Sequence, residues 1–129
     1  MGSPEGASTE ELLDLSILET LHSLGERRGK DLLGQLFGLF QQQGPQGFEQ
    51  IRSALAVQQP SEIKSVAHGL KGSYRSLGTP RLAEICRVLE EKGGTGDLSG
   101  GEALLSELEE VFESTVAALK DFLASKGNA

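Results

Sequence analysis

From residue 104 to residue 122 the core-type side chains stand at Leu104, Leu108, Val111, Phe112, Thr115, Leu119 and Phe122. Apart from one adjacent pair they are three or four positions apart, the step that gathers side chains on one face of an α-helix. The same step runs through Ile63, Val66, Ala67, Leu70, Tyr74 and Leu77, and again through Leu82, Ile85, Cys86 and Leu89. A helix with one apolar stripe must bury it against another element, and no strand-like alternation is present to build a sheet. Leu dominates the 37% of hydrophobic residues while aromatics are only 5%, which favours packed helices. A chain of 129 residues suits one core. The expected class is all-α: an antiparallel four-helix bundle with one or two additional N-terminal helices.

Local signals divide the chain. Residues 1–8 contain the polar stretch MGSPEGA and read as a disordered tail or an expression remnant, leaving 9–126 as the helical domain. Ser8-Thr9-Glu10-Glu11 has the form of a capping box, so a first helix is expected to run to about Leu24. After Gly25 and Gly29, the residues Leu32, Leu33, Leu36, Phe37 and Phe40 define a second helix. Gly44-Pro45-Gln46-Gly47 is expected to break it, and Phe48, Ile51, Ala54 and Leu55 make a short third helix ending near Pro60. The fourth starts at Ser61 and stops at Gly78; Thr79-Pro80 caps and starts the fifth. Gly93, Gly94 and Gly96 form a turn, and Ser99-x-x-Glu102 caps the sixth helix.

Charge and composition exclude several functions. A formal net charge of −7 disfavours nucleic acid and anionic lipid. No apolar run approaches the ~20 residues that cross a bilayer and the N-terminus carries no signal-peptide pattern, so a cytoplasmic protein is expected. A single Cys86, with only His22 and His68 as histidines, rules out an internal disulfide and supplies no zinc-site spacing. Cys86 lies on an apolar stripe, where an inert thiol is expected. His22 has no special setting. The acidic Glu107, Glu109, Glu110 and Glu113 read as a solvated face, and the single Leu39 outside the second helix's stripe is a possible part of a docking surface. Residues 61–92 carry +2 against −9 for the rest of the chain.

Within that least acidic segment lies Ala67-His68-Gly69-Leu70-Lys71-Gly72-Ser73-Tyr74-Arg75-Ser76-Leu77-Gly78. Each interior glycine costs a helix roughly 1 kcal/mol relative to Ala. At 100° per residue His68 stands about 160° from Leu70, on the solvent side. Its face carries Ser61, Lys64, Ser65, Lys71, Gly72 and Arg75, a positive strip with a gap where Gly72 leaves bare backbone one turn on. Gly69 lowers the crowding further. The glycines therefore give a macromolecular partner room to reach the imidazole, and Lys71 is placed on the solvent face to pair with an anion bound to the ring.

This segment resembles the signature of the histidine-containing phosphotransfer (Hpt) domains, approximately A-H-x-L-K-G-S-S/A-x-x-L-G-A, and the similarity continues through Leu82-Ala83, Cys86 and Leu89-Glu90. Tyr74 stands where a small residue is usual, and Thr79 where Ala is common. The resemblance implies a phospho-accepting His68, with Lys71 as the phosphate neighbour and Gly72 as the clearance position; Gly69, Lys64, Ser65 and Arg75 would border the partner. It implies reversible transfer from the aspartyl phosphate of one receiver domain to another, possible partners including the receiver of a hybrid histidine kinase. This chain, expected to be a monomer, would bind no cofactor, the receiver supplying Mg2+. No nucleotide-binding loop or kinase motif is present, so no ATP-dependent kinase activity is expected. The alternative is a helical adaptor that binds a receiver or kinase without carrying phosphate.

Overall fold

The computed structural model describes residues 9–127, which form six helices and no strand. They are α1 (Thr9–Leu12), α2 (Leu15–Arg27), α3 (Leu32–Ala56), α4 (Pro60–Ser76), α5 (Pro80–Thr95) and α6 (Gly101–Ser125). The last four make an antiparallel bundle in which α3 packs on α4, α4 on α5, α5 on α6 and α6 back on α3. Helix α2 lies along α3, and α1 against α5 and α6. The expected apolar stripes form the core: Ile63, Ala67, Leu70 and Tyr74 are buried from α4, and Leu82, Ile85, Cys86 and Leu89 from α5.

Three boundaries differ from the sequence expectation, each for a physical reason. The expected first helix is two, because Asp14 accepts from the amides of Ser16 and Ile17 and so caps α2. Its own amide donates to the carbonyl of Gly78 at 2.8 Å, which ties the α1–α2 junction to the α4–α5 turn. The proposed cap Ser8 lies outside the described residues. Second, Gly44-Pro45-Gln46-Gly47 does not break the chain: the expected second and third helices are one, α3, with Pro45 inside it. A Cβ on Gly44 would lie 2.5 Å from the Phe112 ring, and one on Gly47 2.9 Å from Leu70. The two glycines bring neighbouring helices close, while Pro45 faces solvent. Phe40 and Phe48 close around Phe112, with ring centroids 4.9 and 5.2 Å from it, and this packing offsets the proline's cost of ~3 kcal/mol.

Third, the α5–α6 turn comes later than expected. Helix α5 continues through Gly93 and Gly94 to Thr95, stopping where Gly96 adopts φ +83°. Ser99 does not cap α6; the cap is Gly100, and the Ser99 hydroxyl donates instead to Asp97. Thr79 does precede α5, but its buried hydroxyl donates to the Tyr74 carbonyl rather than capping the helix.

Gly93 is a contact glycine. A Cβ there would lie 2.6 Å from the Lys64 amide nitrogen and 2.7 Å from the Pro60 carbonyl oxygen, both backbone atoms. Gly93→Ala is therefore expected to cost ~1–3 kcal/mol through overpacking, read as a lower midpoint in denaturant unfolding.

Candidate functional site

The α4–α5 hairpin builds the site. Gly78, at φ +77°, ends α4, and Pro80 starts α5 two residues later, so the helices run antiparallel in close contact. The buried stripe of Ile63, Ala67 and Leu70 fixes the rotation of α4 and turns His68 outward. The imidazole side chain is 70% exposed. A Cβ added at Gly69 or Gly72 would meet nothing within 4 Å, so neither glycine is required by the packing of this chain. Lys64, Ser65 and Arg75 are exposed along the same helix.

Opposite His68 stands a residue that sequence reasoning did not single out. Glu90 of α5 places Oε2 2.8 Å from His68 Nδ1 and Oε1 2.5 Å from Lys71 Nζ. One carboxylate thus bridges both residues. The Lys71 and Glu90 side chains are only 16% and 19% exposed. This corrects the placement of Lys71: it shares His68's side of α4, but its stem folds down against α5 instead of lying in solvent. The ammonium of Lys71 and then the ring of His68 hold the Glu90 carboxyl below its ordinary range. The carboxylate is consequently ionised at neutral pH and can only accept. A neutral His68 ring bonded to this carboxylate donates from Nδ1, which leaves the lone pair on Nε2.

The Lys71–Glu90 pair has a measurable consequence. Lys71→Ala is expected to cost ~1–3 kcal/mol, between the ~0–1 of an exposed pair and the ~3–5 of a buried one broken on one side. Because the Glu90 pKa is lowered in the folded protein, its contribution is complete above about 4.5 and is lost as pH falls through the folded value. The stability difference between wild type and Lys71→Ala should shrink on acidification below that point, as urea unfolding across pH would show.

Beside Gly72 a shallow apolar groove runs between α3 and α4, lined by Leu36, Leu39, Phe40, Leu70 and Leu77, with Gln43 at its edge. Leu39, half exposed, is its outermost apolar member. The remaining candidates lie away from this chemistry. His22 sits at the core edge, 3.4 Å from Glu26. Burial pushes the Cys86 thiol up to about 12, leaving it inert. Tyr74, where a small residue is usual, is buried edge-on to Phe40, its centroid 5.6 Å away, and its hydroxyl lacks a hydrogen-bond partner. Glu107 and Glu109 pair with Arg81 and Arg52, as a surface face does. Among the described residues no three His, Cys, Asp or Glu side chains are grouped to hold a metal ion, and no helix is long and apolar enough to cross a membrane.

The α4–α5 hairpin thus presents an exposed, cleared histidine on a four-helix bundle. The Hpt domain family model matches residues 35–122, and the chain belongs to that family. Its structure is similar to the crystal structure of histidine-containing phosphotransfer protein B (HptB) from Pseudomonas aeruginosa PAO1. The TM-score is 0.77 and the identity 25%, over 84% of this chain and 91% of that one. It shares its fold with YPD1P, with a TM-score of 0.72 at 16% identity, over 95% of this chain and 98% of that one. No curated protein matches the sequence at a significant level. The family and the fold make this chain a histidine phosphotransfer protein of phosphorelays.

Proposed function

We propose that this protein accepts a phosphoryl group on Nε2 of His68 from the aspartyl phosphate of one receiver domain and passes it to the aspartate of another. The observation that carries the proposal is the His68 ring itself: exposed, flanked by open space at Gly69 and Gly72, and engaged by Glu90 at Nδ1, which leaves Nε2 as the nitrogen for the phosphoryl group. Phosphoryl transfer asks mostly for positioning and charge neutralisation. Glu90 orients the nucleophile, and Lys71 supplies the nearby positive charge. The bundle brings no nucleotide chemistry; the receiver contributes Mg2+ and the carboxylates around its own aspartate. The chain acts as a phosphocarrier rather than a kinase, in the cytoplasm where receivers reside.

Receiver docking would cover His68, Gly69 and Gly72, with the groove at Leu39 and Leu77 taking apolar contacts and Lys64, Ser65 and Arg75 forming a polar border. Incubation with a receiver carrying labelled aspartyl phosphate tests the proposal. Label should move to this chain in an acid-labile, base-stable linkage, as a phosphoramidate requires, and leave it when a second unphosphorylated receiver is added. Stable binding of receivers without any label transfer would instead identify an adaptor.

A further inference from the structure

We infer, on the basis of the phosphocarrier reading above, that Lys64 supplies the cation that directly meets the phosphoryl group on His68, beyond the nearby charge of Lys71. The pairing of the surrounding charges singles it out. Lys71 is already matched, since its Nζ lies 2.5 Å from Glu90 Oε1 and the two charges cancel before any phosphoryl group arrives. Arg87 is paired as well, with Glu84 at 2.8 Å and Glu91 at 3.5 Å. Arg75 stands seven residues from His68, about 10 Å along the helix axis, and faces the charge of Glu84. Lys64 stands only four residues from His68, is exposed, and pairs with no carboxylate among the described residues.

The hairpin lays this side chain where it is needed. Gly93 packs on the Lys64 backbone, where an added Cβ would lie 2.6 Å from the amide nitrogen. The next residue, Gly94, leaves its space to the Lys64 stem: the nearest atom to a Cβ there is Lys64 Cδ, at 4.0 Å. The stem therefore rests on α5, the helix from which Glu90 meets the His68 ring. Residues four apart on a helix hold their Cβ atoms ~5–6 Å from each other. Helical side chains also lean toward the helix N-terminus, so the imidazole is carried over the turn that holds Lys64. A compact ammonium on a flexible four-carbon stem can then reach a group bound to Nε2.

The carrier state gives this cation its purpose. Between the two transfers the donor receiver has left with its Mg2+, and the phosphoryl group stands on an exposed ring of an acidic protein. Its negative charge has to be met from this chain. Lys71 cannot meet it without giving up Glu90, whereas Lys64 has nothing to give up. A charge-assisted contact from Lys64 would favour the doubly ionised phosphoryl group and hold it on the α5 side of the ring. The groove toward α3, lined beside Gly72 by Leu39 and Gln43, carries no charge and is left open for the next receiver.

Phosphoramidate tests this without any receiver. Its P–N bond breaks as the new bond to Nε2 of His68 forms, and ammonia leaves. Phosphorus NMR of the loaded wild type, Lys64→Gln and Lys64→Arg should then be followed across pH at low ionic strength. A neighbouring cation favours the dianion, so Lys64→Gln should raise the pKa of the last phosphoryl ionisation by roughly half a pH unit, and Lys64→Arg should restore the wild-type value. Raised salt should shrink the difference. The other charged groups near the ring, Lys71 and Arg75 on α4 and Arg87, Glu90 and Glu91 on α5, are the same in all three proteins. Transfer from a phosphorylated receiver to Lys64→Gln should be roughly threefold to tenfold slower than to wild type. Equal phosphoryl pKa values in wild type and Lys64→Gln would overturn the inference, and a loss confined to receiver affinity would do the same by making Lys64 a docking contact only. Loading of His68 by phosphoramidate but never by a receiver would refute the phosphocarrier reading, while the phosphoryl pKa would still decide the role of Lys64.

Discussion

Gly72→Gln is expected to produce a protein at least as stable as wild type that has lost at least about a hundredfold in the rate of phosphoryl transfer from a receiver. Stability should rise because a Cβ at this position meets nothing within 4 Å, so the chain itself gains helix propensity of ~0.5–1 kcal/mol and suffers no clash. Transfer should fall because Gly72 lies one turn from His68 on the same exposed face. A side chain there would occupy the space through which the receiver aspartate reaches Nε2. In-line transfer tolerates little displacement: misplacing reacting groups by ~1 Å can cost about a hundredfold. Gly93→Ala makes the opposite case, since that glycine serves the packing of α5 on α4 and its substitution should damage stability. Paired measurement of unfolding midpoint and transfer rate for Gly72→Gln checks the claim, and unchanged transfer would remove the clearance account.

The site was legible in the sequence to the extent that its signals are local. The periodicity of Ile63, Ala67, Leu70 and Tyr74 fixed which way His68 faces, and the cost of two interior glycines pointed to a requirement outside the chain's own packing. Glu90 entered only through the likeness at Leu89-Glu90 and received no role, because it lies 22 residues from His68 and no local periodicity or charge pattern sets it apart from the exposed Glu91 beside it. Register about the tight turn at Gly78 and Thr79 would have placed it, since an antiparallel hairpin brings residues near 89 and 90 opposite residue 68. The same omission misplaced the Lys71 stem, because helical angle puts a lysine on the solvent side without saying that a carboxylate on the next helix draws it inward.

The fold was read with one substantial error, at Gly44-Pro45-Gln46-Gly47. Glycine and proline together usually mark a turn. Here the glycines admit Phe112 and Leu70 from neighbouring helices, a tertiary demand that no local pattern expresses. The caps were uneven for a similar reason. Side-chain competition decides them: Asp97 takes the Ser99 hydroxyl, and the Tyr74 carbonyl takes that of Thr79.

His68→Gln carries the other large expected effect, a complete loss of phosphate acceptance with the fold intact. Gln is close to His in size, and at a side chain that is 70% exposed its substitution should leave stability within about ±0.5 kcal/mol. It has no nitrogen lone pair able to attack phosphorus, because its amide nitrogen is delocalised. Lys71, Glu90 and the α3–α4 groove all remain in place, so receiver binding should persist while transfer stops. The most direct measurement is the transfer of labelled phosphoryl from one phosphorylated receiver to wild type and to His68→Gln under identical conditions, with the modified atom located by phosphorus-coupled nitrogen NMR. Label on Nε2 of His68 in wild type and none on a folded His68→Gln is the predicted result; equal labelling of the two proteins would contradict the assignment of this chain's function to His68.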